Sequence, residues 1–221
     1  MIQAVLFDMD GILCDSELFY MEGTLAQMRG FGYTGPEEKI WSVIGTTMDV
    51  TYRILYELLD GKIPVSQLKE TNEHYFDEHP CNYREIRFDG VREVLCDLKN
   101  RGFLLACCSS SPLKTVRKAL QEMEIEEYFD YIQSGEEIAN PKPAPDIYLM
   151  AAEELRVSAD ECVVYEDSEL GIRSGKSAGM YVIAREDQRF KQDQSEADVL
   201  VQNIREMEKI LLKEYEYETS N

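Results

Sequence analysis

Short apolar runs, each ending abruptly in polar residues and separated from the next by a helical pattern, constrain this chain more than any other feature. The runs are Ile2–Phe7, Phe103–Cys108, Tyr131–Gln133, Cys162–Tyr165 and Tyr181–Ala184, with Val199–Val201 as a sixth candidate. Between them lie the amphipathic stretches Val91–Lys99, Leu113–Glu122, Ile147–Leu155 and Leu170–Ala178. Strand, helix and strand in repetition predict an α/β fold: a parallel sheet with helices on both faces. The near-continuous apolarity of the runs agrees, because a strand covered on both sides has no polar face.

One stretch breaks the alternation. From Glu17 to about Cys81 no strand pattern appears, and Val50–Leu59 and Val65–Phe76 read as helices. This stretch comes after the first strand and has polar flanks, as hinges usually do. It is expected to be a helical cap domain, residues 17–81, inserted into a core made of residues 1–16 and 82–221. The charged tail Glu214–Asn221 is expected to fray.

Composition excludes several functions. The 221 residues are 44% apolar and 30% charged, the balance of a globular chain. No apolar run approaches the roughly 20 residues of a membrane span. The opening MIQAVLFDMDG has neither a basic region nor a small-residue cleavage site, so a cytoplasmic location is expected. A formal charge of −20 repels nucleic acid and anionic lipid, which leaves neither as a partner. The same field opposes an anionic substrate unless a metal or a placed lysine supplies a local cation. The six cysteines form no C-x-x-C pair and read as reduced, mostly buried thiols. With His74 and His79 alone, a zinc or histidine-triad site has little support.

Four polar clusters sit at strand ends, where open α/β sheets bind their ligands. Asp8-Met9-Asp10-Gly11 comes first. Two carboxylates so close repel unless a cation lies between them, and hard oxygen donors suit Mg²⁺. Asp and Gly are also ordinary turn residues. A calcium loop fits poorly, because Gly11 comes too early and Phe19 stands where the last acidic ligand belongs. Ser109-Ser110-Ser111-Pro112 is second. Ser111 reads as the cap of the next helix and Pro112 as its first residue, which leaves Ser109 as the better phosphate ligand. Pro141-Lys142-Pro143-Ala144-Pro145-Asp146 is third: the prolines are expected to hold Lys142 on extended backbone, where it can serve as the local cation. Glu166-Asp167-Ser168 is fourth, able to complete an oxygen cage with Asp8, or to cap a helix through Asp167 or Ser168.

Gly171-Ile172-Arg173-Ser174-Gly175-Lys176-Ser177 imitates a nucleotide-binding loop but has three residues where that loop has four. Its small residues, Gly171, Ser174, Gly175 and Ala178, read as helix–sheet packing.

The four clusters, read as FDMDG, LLACCSSSP, PKPAPDIYL and VVYEDSELGIRSGKSAG, resemble in that order the motifs of the haloacid dehalogenase superfamily. The likeness is nearest to its beta-phosphoglucomutase and sugar-phosphatase branch, whose alpha-helical (C1) cap matches the insert. It implies a Rossmann-like three-layer core with strand order 5-4-1-2-3. It also implies roles: Asp8 as nucleophile and metal ligand, and Asp10 as general acid and base whose carbonyl also binds metal. Ser109, Ser110 and Lys142 would hold phosphoryl oxygens, and Glu166 and Asp167 would bind Mg²⁺ directly or through water. Substrate choice would fall to Tyr20, Thr47, Met48 and Tyr52 of the cap. The expected partner is a small phosphorylated metabolite, met by a monomer or weak dimer.

Two departures separate the readings. Beta-phosphoglucomutases carry a histidine where this chain has Tyr20, and a Lys and an Arg where it has Ile44 and Met48. A cap without those cations has little grip on the second phosphate of a bisphosphate, which favours hydrolysis of a monophosphate over a mutase. A non-catalytic phospho-acceptor module, such as a receiver domain, would lack both the insert and Asp10.

Overall fold

Six parallel strands form one sheet in the computed structural model, which describes residues 1–44, 46, 48–190 and 192–219, with side chains to Lys213. The strands are β1 (Ala4–Phe7), β2 (Leu104–Ser109), β3 (Tyr131–Ser134), β4 (Cys162–Glu166), β5 (Tyr181–Arg185) and β6 (Val199–Val201). Their order is β3-β2-β1-β4-β5-β6. It contains the expected 5-4-1-2-3 arrangement and adds β6 outside β5, where Leu200 is 50% exposed on the edge.

The helices are α1 (Ser16–Gly30), α2 (Glu38–Trp41), α3 (Met48–Leu58), α4 (Val65–Glu78), α5 (Tyr83–Ile86), α6 (Val91–Asn100), α7 (Leu113–Glu122), α8 (Asp146–Leu155), α9 (Glu169–Ser177) and α10 (Ile204–Thr219). Alternate strand residues Ala4, Leu6, Ala106, Cys108, Val164 and Val182 pack against Ile147, Tyr148 and Ala151 of α8 and Ile172 of α9. Helices α6, α7 and α10 bury their own apolar stripes, among them Leu95, Leu98, Val116, Leu120, Met207 and Leu211. The tail expected to fray is helical as far as Thr219. Ile204, Met207 and Leu211 anchor the start of α10, and neither glycine nor proline interrupts its later turns. Ser220 and Asn221 lie outside the described residues.

The chain divides into two compact units, Met1–Asp15 with Tyr83–Asn221, and Ser16–Asn82. The second unit holds α1 to α4 around a core of Met28, Tyr33, Ile40, Val43, Tyr52, Leu55, Leu59 and Leu68. Gly23 lets α1 approach α4 closely: a Cβ there would press into the ring of Phe76. Among the described residues no helix is long and apolar enough to cross a membrane.

Candidate active site

Strand register brings the polar clusters together. Phe7 is level with Cys107 of β2 on one side and Tyr165 of β4 on the other. The next residue along each strand, Asp8, Cys108 and Glu166, therefore emerges at the same edge of the sheet. Asp8 extends its strand by donating its N–H to the Tyr165 carbonyl at 3.0 Å. The chain then turns away through Gly11, whose φ of +79° favours glycine.

Lys142 arrives from the third cluster and is 8% exposed. A tight turn carries it. Prolines carry no N–H, so Ala144 supplies the amide that closes a turn onto the Pro141 carbonyl at 3.0 Å, and the Lys142–Pro143 bond is cis. The ammonium donates to Asp8 Oδ1 at 2.6 Å, Glu166 Oε1 at 2.8 Å and the Cys108 carbonyl at 3.1 Å. Those acceptors match the ammonium's three hydrogens.

Glu166 is fully buried. Its Oε1 also accepts from the Tyr148 hydroxyl at 3.1 Å. Its Oε2 accepts from the N–H of Asp167 at 2.8 Å, the N–H of Ser168 at 3.0 Å and the Ser168 hydroxyl at 3.1 Å. Gly171 makes this possible, because a Cβ there would fall within the carboxylate. Its smallness thus serves Glu166 rather than helix–sheet packing, whereas Gly175 does pack on Val164 and Val182. Ser168, not Asp167, caps α9 by accepting from the Gly171 N–H at 3.1 Å. Asp167 is 3% exposed, and its carboxylate fills the space beside Gly11 that a side chain would need.

The serine cluster departs from expectation. Helix α7 begins at Leu113, as its pattern predicts, but with Pro112 rather than Ser111 at its N-cap. Glu136 accepts the Leu113 N–H at 3.0 Å, and Ser111 makes no cap. The Ser111 hydroxyl donates instead to Asp10 Oδ2 at 2.9 Å, with the Ser109 hydroxyl at 3.4 Å from the same oxygen. Ser111 therefore joins the candidate site through Asp10, and its local sequence, which suits a cap, hid that. Ser109 is buried and Ser110 is exposed at the strand tip.

Charge is unevenly compensated here. Burial pushes the Asp8 carboxyl up and Lys142 pulls it down, but Glu166 and Asp10 push it up again, to about 7. Burial also works against ionised Glu166, yet Lys142 and the amides of Ser168 and Asp167 hold it below the usual carboxylate range. Burial opposes the charge on Lys142, and Asp8 and Glu166 outweigh it, raising the ammonium well above its ordinary value. One lysine serves two carboxylates, and Glu166, with more donors, keeps the charge more easily. Burial drives the Cys107 and Cys108 thiols upward, so neither is an alternative nucleophile.

The family model of the haloacid dehalogenase-like hydrolases matches residues 5–185. The chain belongs to that family. It is 33% identical over 181 residues to the phosphorylated carbohydrates phosphatase of Thermotoga maritima, covering 81% of this chain and 82% of that protein. It is 31% identical over 198 residues to hexitol phosphatase B of Escherichia coli K12, covering 86% and 88%. The crystal structure of beta-phosphoglucomutase from Clostridium difficile superposes with a TM-score of 0.80 at 23% identity, covering 99% of this chain and all of that one, a likeness of fold. Family and relatives together make this chain a hydrolase of the phosphatase type, working by phosphoryl transfer.

Within this haloacid dehalogenase-like hydrolase, the expected specificity residues are scattered through the helical unit. Tyr20 on α1 packs edge-on against Phe19 and Phe76, at 5.3 and 5.0 Å between ring centres. Met48 is 60% exposed at the start of α3. Tyr52 lies in the unit's apolar core with its hydroxyl 3.2 Å from Asn72 Oδ1. Thr47 lies outside the described residues. Tyr148 was invisible to sequence reasoning, since a tyrosine in the apolar stretch Asp146–Leu155 reads as core.

Proposed function

We propose that this enzyme hydrolyses a small phosphomonoester, such as a sugar phosphate, through a phospho-aspartate on Asp8, and that the unit Ser16–Asn82 acts as its cap. The observation that carries this is the seating of Asp8: a carboxylate at a strand tip, gripped by a buried lysine, with Asp10 two residues on. Asp8 attacks phosphorus as the bond to the leaving oxygen breaks, and Asp10 gives that oxygen its proton. Asp10 then takes a proton from the water that cleaves the acyl phosphate. Ser111 and Ser109 orient the Asp10 carboxyl by hydrogen bonding to its Oδ2. Lys142 neutralises phosphoryl oxygens, and Glu166 keeps Lys142 charged and in place. Phosphoryl transfer needs little beyond such positioning and charge compensation.

The donor set also fits Mg²⁺. Burial, with Glu166 and Asp10 adding to it, raises the Asp8 carboxyl further than Lys142 lowers it, so a second cation would favour the carboxylate, and the donors are hard oxygens. Among the described residues no three His, Cys, Asp or Glu side chains form a ready cage. The fitting donors are the carboxylates of Asp8 and Asp167 with the Asp10 carbonyl, a set of two side chains and one backbone oxygen. Glu166 contributes from behind, because five donors already engage its oxygens. When bound, Mg²⁺ supplies charge neutralisation at the phosphoryl oxygens.

The test is phosphate release from a panel of sugar and nucleoside monophosphates. Wild type with Mg²⁺ should turn over at least one of them, EDTA should abolish the activity, and Asp8→Asn should lower kcat by about three orders of magnitude or more while the fold persists. Retained turnover in Asp8→Asn would falsify the nucleophile. Ile44, buried, and Met48, apolar, offer no cation for a second phosphate. Rapid conversion of beta-glucose 1-phosphate to glucose 6-phosphate, primed by a bisphosphate, would turn the reading to a mutase.

A further inference from the structure

Beyond β5 the chain runs through a segment that no motif marks, yet its side chains return repeatedly to the two acidic loops. Arg185, the last residue of β5, donates from Nη1 to the Gly11 carbonyl at 2.9 Å. Because β4 stands between β5 and β1, this side chain reaches over the end of β4 to the first loop. Its guanidinium also lies 4.2 Å from the centre of the Phe88 ring and 3.2 Å from Asp187. Arg189 forks onto Asp15, Nη1 and Nη2 meeting the two carboxylate oxygens at 2.8 and 2.9 Å. Gln192 accepts the Glu169 N–H at 3.2 Å. Gln194 donates to the Asp167 carbonyl at 2.5 Å and to the Arg185 carbonyl at 2.7 Å.

We propose that the side chains of Arg185, Arg189, Gln192 and Gln194 form a clasp that sets the separation between the loop carrying Asp8 and Asp10 and the loop carrying Glu166 and Asp167, with Arg185 and Gln194 as its positioning residues. Arg185 and Arg189 hold the first loop; Gln192 and Gln194 hold the second; the Gln194–Arg185 bond joins the two halves. The clasp meets the loops at the Gly11 and Asp167 carbonyls, the Glu169 N–H and the Asp15 carboxylate. Gly11 is the natural point of leverage: its carbonyl is held by Arg185, and its bare Cα meets the Asp167 carboxylate. Outer partners of this kind change metal affinity by about 10- to 100-fold when lost, and small misplacements of reacting groups are costly in rate. The inference rests on the phosphatase reading above only for its kinetic consequences.

The experiment compares full-length Gln194→Met, Arg185→Met and Arg185→Lys with wild type and with Gln188→Met, whose exposed side chain donates to Glu186. Amide hydrogen exchange is read in residues 9–15 and 167–171, Mg²⁺ affinity by calorimetry with the ion alone, and kcat and KM on the best monophosphate. Gln194→Met should speed exchange in both loops by about 5- to 10-fold, the worth of one hydrogen bond. Mg²⁺ binding should weaken about 10-fold, and kcat should fall about 10-fold with KM within about 2-fold. Arg185→Lys, which keeps a donor for Gly11, should recover much of what Arg185→Met loses, and Gln188→Met should match wild type. Unchanged exchange in either loop, or a lysine no better than methionine, would overturn the clasp. A wild type that releases phosphate from no ester would overturn the phosphatase reading instead, and the exchange data would still decide whether the segment holds the loops.

Discussion

Beside its apolar core the sheet unit buries a cluster of charged side chains, whereas the core of the helical insert is apolar. At the strand ends of the sheet unit Asp8, Ser109, Lys142, Glu166 and Asp167 are all buried, and Asp8 and Glu166 share the Lys142 ammonium. The insert's core is built from apolar groups such as Met28, Ile40, Leu55 and Leu68, and it leaves Met48, Val50, Tyr56 and Val65 more than a third exposed. Buried charges must be compensated locally, so a change to one disturbs several neighbours. An amphipathic helix asks only that its inner stripe fill space, and its outer residues can vary freely. The proposed chemistry thus lies in a part of the molecule that tolerates little, and the proposed substrate selection in a part that tolerates much.

The largest effect should come from breaking the charge cluster. Lys142→Met strands Asp8 and Glu166 without their shared cation, which should cost about 3–5 kcal/mol of stability and about 100-fold or more in kcat. Denaturant titration and steady-state kinetics read both, and a variant as stable as wild type would show that the cluster does not depend on its lysine.

A pH series tests the uneven compensation. The folded pKa of Asp8, about 7, lies above the ordinary aspartate value of 3.8, so between those pH values the folded protein holds more protons than the unfolded chain. Stability of the metal-free protein should therefore fall as pH rises from about 4 to 7, by up to about 4 kcal/mol. Mg²⁺ should restore it at pH near 7 and not near 4, and Asp8→Asn should lack this component. Melting temperatures that are flat in metal-free wild type, or that fall equally in Asp8→Asn, would contradict the assignment.

Gly171→Ala sharpens the point without touching a charged group. Its Cβ would displace the Glu166 carboxylate from its five donors, at a cost of about 1–3 kcal/mol. The equivalent helical change Gly30→Ala, where nothing lies within 4 Å, should be neutral or stabilising. Equal melting temperatures for the two variants would remove Glu166 as the reason for the glycine.

Met48→Arg, on the exposed face of the insert, should be the mildest. Stability should stay within about 0.5 kcal/mol, while relative kcat/KM among monophosphate substrates shifts a few-fold. A large loss of stability would mean that the insert's surface is as constrained as the strand ends.

Much of this was legible in the chain itself, because strand and helix obey local rules. Apolar runs that stop at acidic or hydroxyl residues marked the strand ends, and helix α7 carries the residues expected of it, Leu113–Glu122. What local rules could not reach were partnerships over distance. Lys142 lies 134 residues from Asp8, and it can meet both Asp8 and Glu166 because the register of β1 against β4 aligns their ends. Ser111 has the sequence of a helix cap and the contacts of a site residue, because Glu136, 23 residues on from Leu113, took over the cap. Gly171 has the sequence context of a packing glycine, and only the fold sets the Glu166 carboxylate against it. The return of Arg185 and Gln194 to the acidic loops has no periodicity or spacing to announce it. Sequence determined which residues end each strand, since that depends on solvation and backbone preference residue by residue. Only tertiary structure decided which of those ends share a cation, a hydroxyl or a backbone carbonyl, since that depends on how the sheet is assembled.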